Sequence, residues 1–213
     1  MNKYFFALAL VAGLAGVRPA QAQVSKFHGD LGVGLVPLRA TAPVQANPNG
    51  YQGMPQAYVL QTTNANLLLL NGNLGFDAPL YQLKGGEQSL GISLNAGAGL
   101  LATTRQDVDG FNAQFVLDFP EYVTYRYGAK ASKHSKKDFG VGVGLGYRFS
   151  KFFLPFSSPS AMLEGVYATN DHDWFLRLSA DLRPRRIYND YSSEGLVEAL
   201  RIREFNATIG KSF

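Results

Sequence analysis

The sequence predicts an all-β fold: an eight-stranded antiparallel up-and-down β-barrel that crosses a membrane, preceded by a cleaved signal peptide. Three observations predict it. Apolar residues alternate with polar residues or glycine in segment after segment, which is the period of a strand whose successive side chains face opposite sides. Several segments exceed the roughly 5–6 residues usual in soluble sheets, and reach the roughly 9–11 that a tilted strand needs to cross a bilayer. Aromatic residues fall in two bands near the segment ends, where amphipathic rings meet headgroups.

The chain starts "MNKYFFALALVAGLAGVRPAQAQ". Lys3, an apolar run from Tyr4 to Val17 and the triplet Ala20-Gln21-Ala22 follow the order of a secretory signal peptide, with cleavage expected after Ala22. This predicts two parts, a signal peptide over 1–22 and one barrel domain over 23–213. Removing Lys3 and Arg18 takes the formal charge from +4 to +2. A near-neutral mature chain carries no global nucleic-acid footprint. With no cysteine there is no disulfide framework and no thiol chemistry.

The strands are expected at 28–37, 64–80, 88–104, 111–127, 139–151, 160–169, 174–183 and 201–213. In the second, Leu68, Leu70, Leu74 and Phe76 oppose Asn71, Asn73, Gly75 and Asp77. Residues 57–63 are read as its extension into a long loop, with a separate strand as the alternative. In the third, Leu90, Ile92, Leu94 and Leu100 oppose Ser89, Gly91, Ser93 and Gly97. In the fourth, Phe115, Leu117, Phe119, Val123, Tyr125 and Tyr127 oppose Asp118, Thr124 and Arg126. The fifth, "DFGVGVGLGYRF", sets glycines 140, 142, 144 and 146 against Phe139, Val141, Val143, Leu145, Tyr147 and Phe149. Its glycines are spaced for a strand, not for the dinucleotide fingerprint, which needs them at i, i+2 and i+5. The seventh sets Trp174, Leu176 and Leu178 against Arg177, Ser179 and Asp181, and the last sets Phe205, Ala207, Ile209 and Phe213 against Glu204, Asn206 and Thr208.

Period two alone fits a soluble secreted β-protein with an apolar core as well as a membrane barrel with an apolar exterior. Strand length and the aromatic bands favour the membrane. The closing segment "FNATIGKSF" adds a resemblance. It is similar to the final strand of outer-membrane barrels, apart from Lys211 at a position usually apolar. Together with the signal peptide and even strand number, the mature chain resembles the small outer-membrane β-barrel domain proteins, the OmpA/OmpX-like and PorT-like group. That resemblance implies outer-membrane localisation in a Gram-negative-type bacterium, periplasmic termini, and an insertion signal in Phe205, Ala207, Ile209 and Phe213. It implies outer-membrane lipid, lipopolysaccharide and the insertion machinery as partners of a monomer.

An eight-stranded barrel has an interior that side chains can fill. The inward set contains Asp77, Asp118, Arg126, Arg148, Glu164, Arg177, Asp181, Arg183 and Glu204. Both signs are present, so an ion-paired plug that closes the lumen is expected, because buried charges need partners. The glycines of the fifth strand are expected either to make room for Arg126 and Arg177 or to leave a small pocket.

Catalytic, metal and cofactor readings find little support. His134-Ser135 sits in a lysine-rich turn without a carboxylate to orient the imidazole. "NDHD" at 170–173 reads as a hairpin turn, His28 as a rim residue, and Lys130, Lys133, Lys136 and Lys137 as a solvated turn. Arg185 and Arg186 open the last outer loop and are candidates for lipopolysaccharide phosphate contact. The expectation is a non-enzymatic membrane barrel with a structural, surface-interaction or envelope-assembly and secretion-supporting role. A lipid-modifying enzyme and a narrow channel or small-ligand binder remain as alternatives. Loops 38–63 and 184–200 are the expected partner contacts.

Overall fold

The computed structural model of the 213-residue chain describes residues 26–45, 58–103, 113–132, 135–151, 155–169, 172–191 and 196–213. Ten strands occur among them: β1 (Lys26–Gln45), β2 (Tyr58–Leu83), β3 (Gln88–Thr103), β4 (Ala113–Gly128), β5 (Phe139–Lys151), β6 (Pro155–Ala168), β7 (Asp173–Asp181), β8 (Arg185–Tyr191), β9 (Leu196–Ile202) and β10 (Phe205–Ser212). The predicted signal peptide, 1–22, lies outside the described residues.

Eight strands form a ring. β1 to β7 pair in sequence, β7 pairs with β10, and β10 pairs back onto β1 from His28↔Ser212 to Leu35↔Phe205, antiparallel throughout. Closure satisfies the backbone of every wall strand, which is why a sheet can cross a lipid phase that offers no water. The wall faces lipid with its large apolar side chains. Leu31, Leu74, Leu145, Leu163, Leu176 and Ile209 are all more than half exposed on the outside. Two aromatic bands flank this belt. Phe27, Tyr81, Tyr127, Phe139, Tyr167 and Trp174 lie at the end with the short turns, and Phe115, Phe119, Tyr147, Phe149 and Phe205 toward the loops. The former is called the turn end, the latter the loop end.

Four strands run past the ring at the loop end. β2 is paired to β3 only as far as Leu67↔Thr103, whereas β1 and β2 continue together to Gln45↔Tyr58. Residues 58–63 are therefore continuous with β2. The expected loop 184–200 is instead the hairpin β8–β9, and β9 pairs with β1 from Leu38↔Ile202 to Thr41↔Ala199. The result is a protruding sheet in the order β2-β1-β9-β8. The expected strand 174–183 ends at Asp181, and the expected strand 201–213 is interrupted at 203–204. At the interruption the Glu204 N–H donates to Asp181 Oδ2 at 3.0 Å, and Asp181 N–H donates to Glu204 O at 2.9 Å, so the backbone of Glu204 is bonded to the end of β7.

Candidate functional site: the barrel interior

Alternation places one residue in two inside the ring. The structure sorts these inward side chains into three groups.

The first group fills the turn end. Glu164 on β6 accepts from Arg126 Nε at 3.0 Å and from Arg177 Nη2 at 2.7 Å. Asp77 on β2 accepts from Arg126 Nη2 at 2.8 Å. Lys130 Nζ lies 2.8 Å from Asp77 Oδ2 and 3.4 Å from Glu164 Oε2. His28 Nδ1 lies 3.1 Å from Asp77 Oδ2, and its Nε2 lies 2.8 Å from Asn95 Oδ1. Asn95 also accepts from Arg177 Nη1 at 2.9 Å and donates to Pro120 O at 3.0 Å. Phe175 gives these cations an aromatic face, with Lys130 Nζ 4.2 Å and Arg177 Cζ 4.9 Å from the ring centroid.

The second group lies toward the loop end. Arg148 Nη1 is 2.8 Å from Glu204 Oε1, and its Nε is 3.2 Å from Asp118 Oδ2. Ser150 donates to Asp118, and Arg148 Nη2 donates to Ser179 at 2.8 Å. Arg185 Nε is 2.8 Å from Asp181 Oδ2, and its Nη2 donates to Glu204 Oε2 at 3.2 Å. The third group is apolar. Val36, Leu69, Leu101, Val116 and Ile202 form a buried layer with Leu38 and Leu67 against it.

Of the nine residues expected in the lumen, eight are buried: Asp77, Asp118, Arg126, Arg148, Glu164, Arg177, Asp181 and Glu204. Arg183 is not among them. It sits exposed at the bend after β7, where its carbonyl accepts from Ser158 Oγ at 2.9 Å. Arg185 is inward, on the same parity as Asp181, so β8 resumes on the face that β7 left and only Arg183, within the bend at 182–184, is turned out. Arg185 is thereby removed from the proposed surface contact with phosphate, being 3% exposed and held by two carboxylates. The side chain of Arg186 lies outside the described residues.

Two further expectations are corrected. His28 is a lumen residue and not a rim residue, since its strand parity turns it inward beside Asp30. Lys130 is buried because positive φ at Gly128 and at Lys130 itself folds the turn back over the barrel mouth. Lys137 stays outside and donates to the Tyr127 hydroxyl beside Glu87, and that hydrogen bond raises its pKa. Asp173 of "NDHD" is paired with Lys26. Lys133 and His134 lie outside the described residues.

The β5 glycines are places of close approach. A Cβ on Gly142 would sit 3.2 Å from Arg126 Cγ, and one on Gly144 would sit 2.9 Å from Met162 Cγ and 3.1 Å from Tyr122 Cβ. The room they provide is occupied by Arg126, Met162 and Tyr122. Phe205, Ala207, Ile209 and Phe213 lie on the outward face of the β10 segment, and Lys211 Nζ rests 5.7 Å from the Trp174 ring centroid.

Fold and interior together define a transmembrane β-barrel with a side-chain-filled lumen. No protein-family model matches the chain, and neither does the sequence of a curated protein. Among solved structures it is similar to the outer membrane protein OprG from Pseudomonas aeruginosa, with TM-score 0.49 and 11% identity over 90% of this chain and 97% of that one. It is also similar to the outer membrane protease OmpT from Escherichia coli, with TM-score 0.35 and 9% identity over 88% and 96%. A third is the attachment invasion locus protein Ail of Yersinia pestis, with TM-score 0.27 and 8% identity over 86% and 99%.

Proposed function

We propose that this protein is a non-conducting, non-enzymatic barrel of a Gram-negative-type outer membrane, with its turn end periplasmic and its loop end outside. In this reading it is a rigid monomeric anchor that presents the β2-β1-β9-β8 sheet for surface interaction or envelope assembly. One observation carries the proposal. Two buried ion-pair networks and an apolar layer occupy successive parts of the lumen. Each buried ion costs several kcal/mol to desolvate, so the paired geometry holds the plug in place, and an apolar constriction opposes wetting. The outward row Phe205, Ala207, Ile209 and Phe213 serves recognition by the insertion machinery in the same reading. The test is a planar-bilayer recording of the purified chain. The expected result is a baseline without long-lived steps. Sustained steps of reproducible amplitude would overturn the closed plug and favour the channel reading.

A further inference from the structure

Four exposed arginines gather on the outer wall at the loop end. Arg39 on β1 stands directly opposite Arg201 on β9, and Arg186 of β8 occupies the register position on the other side of Arg201. Arg203 lies between β9 and β10, its backbone N–H bound to Pro37 O, and Arg183 lies at the bend after β7. Arg39, Arg183, Arg201 and Arg203 are exposed, and none has a carboxylate partner among the described residues. Like charges directly opposite on neighbouring strands are unfavourable. The lumen shows the contrast, since every arginine there is met by carboxylates.

An apolar groove lies immediately below this cluster, in the lipid belt. Along one cross-strand row the outward residues are Leu35, Phe205, Ala180 and Ala161. The wall therefore drops from two large side chains to two methyl groups. Ala207 deepens the floor, Leu163 and Leu178 bound it, and the groove has a volume of about 660 Å³. Arg203 is two residues loopward of Phe205 on the same outward face, which is about 7 Å along the wall.

We infer that this surface binds one phosphorylated acyl lipid of the loop-side leaflet. Its phosphates are held by Arg39, Arg201 and Arg203, and an acyl chain lies in the groove over Ala180 and Ala161. Charge complementarity selects the headgroup, because guanidinium groups match phosphate oxygens in a bidentate fork. The groove's place within the belt selects an acyl chain. An anion bridging Arg39 and Arg201 relieves their repulsion, which makes the two parts of the site cooperate. The inference rests on the barrel crossing a membrane and is independent of whether the lumen conducts.

The test uses the full chain folded in mixed vesicles of phosphatidylcholine with diphosphorylated lipid A, extracted into mild detergent and weighed by native mass spectrometry. The wild type is expected to retain one lipid A. Retention is expected to fall roughly tenfold or more in R39Q/R201Q/R203Q, equivalent to losing at least one charge-assisted contact. It is expected to fall also in Ala180→Phe, which fills the groove with every arginine intact. Ala161→Phe serves as the second groove variant, and heat-modifiable gel migration identifies variants that remain folded. Retention unchanged in the arginine triple variant would overturn the site. Loss in the triple variant with full retention in both folded groove variants would reduce it to a bare anion patch and overturn the lipid assignment.

Discussion

Arg148 Nη1 stands 2.8 Å from Glu204 Oε1, with both side chains at most 2% exposed. The pair joins β5 to the junction between β9 and β10 across the inside of the ring. Arg185 meets the same carboxylate from β8, and Asp118 meets Arg148 from β4. A single bend in the wall at 203–204 thus brings four segments into one charged cluster.

Glu164 is the centre of the other cluster, facing Arg126, Arg177 and Lys130. Glu164→Ala leaves these cations short of a partner and is expected to cost about 3–5 kcal/mol, the range for breaking one side of a buried pair. Urea titration of the folded barrel in detergent measures it. A loss below about 1 kcal/mol would mean that the network contributes little to stability.

The glycines of β5 differ in what surrounds them. A Cβ on Gly146 runs into the Glu121 carbonyl, which is backbone, whereas one on Gly144 meets the flexible Met162 as well as Tyr122 Cβ. Gly165, on the outside, has nothing within 4 Å of its Cβ position. Alanine is therefore expected to be most costly at 146, intermediate at 144, and close to neutral at 165. The first two fall within the ~1–3 kcal/mol range of overpacking. Denaturation midpoints of the three variants give the order directly.

Leu69 and Leu70 are neighbours with opposite surroundings. Leu69 is fully buried in the inner apolar layer, and Leu70 is half exposed toward lipid. Leu69→Ala is expected to cost about 2–5 kcal/mol through the cavity it leaves. Leu70→Ala, whose neighbouring lipid tails refill the space, is expected to cost clearly less. Equal effects in reversible unfolding would argue against an inner layer.

Val143 lies in the outward belt, with a glycine of β5 on either side facing in. Val143→Arg is expected to cost about 2–4 kcal/mol near the bilayer midplane. The same arginine at Thr62, exposed on the protruding part of β2, is expected to be nearly neutral. Folding yield into lipid vesicles distinguishes the two positions.

Strand parity alone carries much of this architecture. Alternation at Phe139 to Phe149 sorts every side chain of β5 to its observed face. The same parity turns His28 and Asp30 inward, a signal present in "HGDLGVGL" that rim placement overlooked. The inner apolar layer also has a trace. Alternation breaks into doubled apolar residues at Leu35-Val36, Leu68-Leu69, Leu100-Leu101 and Phe115-Val116, one residue for each side of the wall.

Other features have no local trace. Alternation turns Glu204 inward, but its backbone hydrogen bonds to Asp181, more than twenty residues away in the chain, leave no mark in the local pattern. Arg185 keeps the inward parity of Asp181, whereas the exposure of Arg183 follows from a bend at 182–184 that alternation alone does not show. Lys130 enters the lumen only because a positive-φ turn closes over the ring.

The linear order of residues is sufficient to specify the eight wall strands, their two faces and the membrane as surrounding solvent, because each is a property of adjacent side chains repeated every second position. Which arginine meets which carboxylate, which glycine yields space to which neighbour, and which arginines are left unpaired on the outer wall are fixed by ring closure. Closure juxtaposes residues from strands far apart in sequence. A buried charge is then stable only where that juxtaposition supplies its partner.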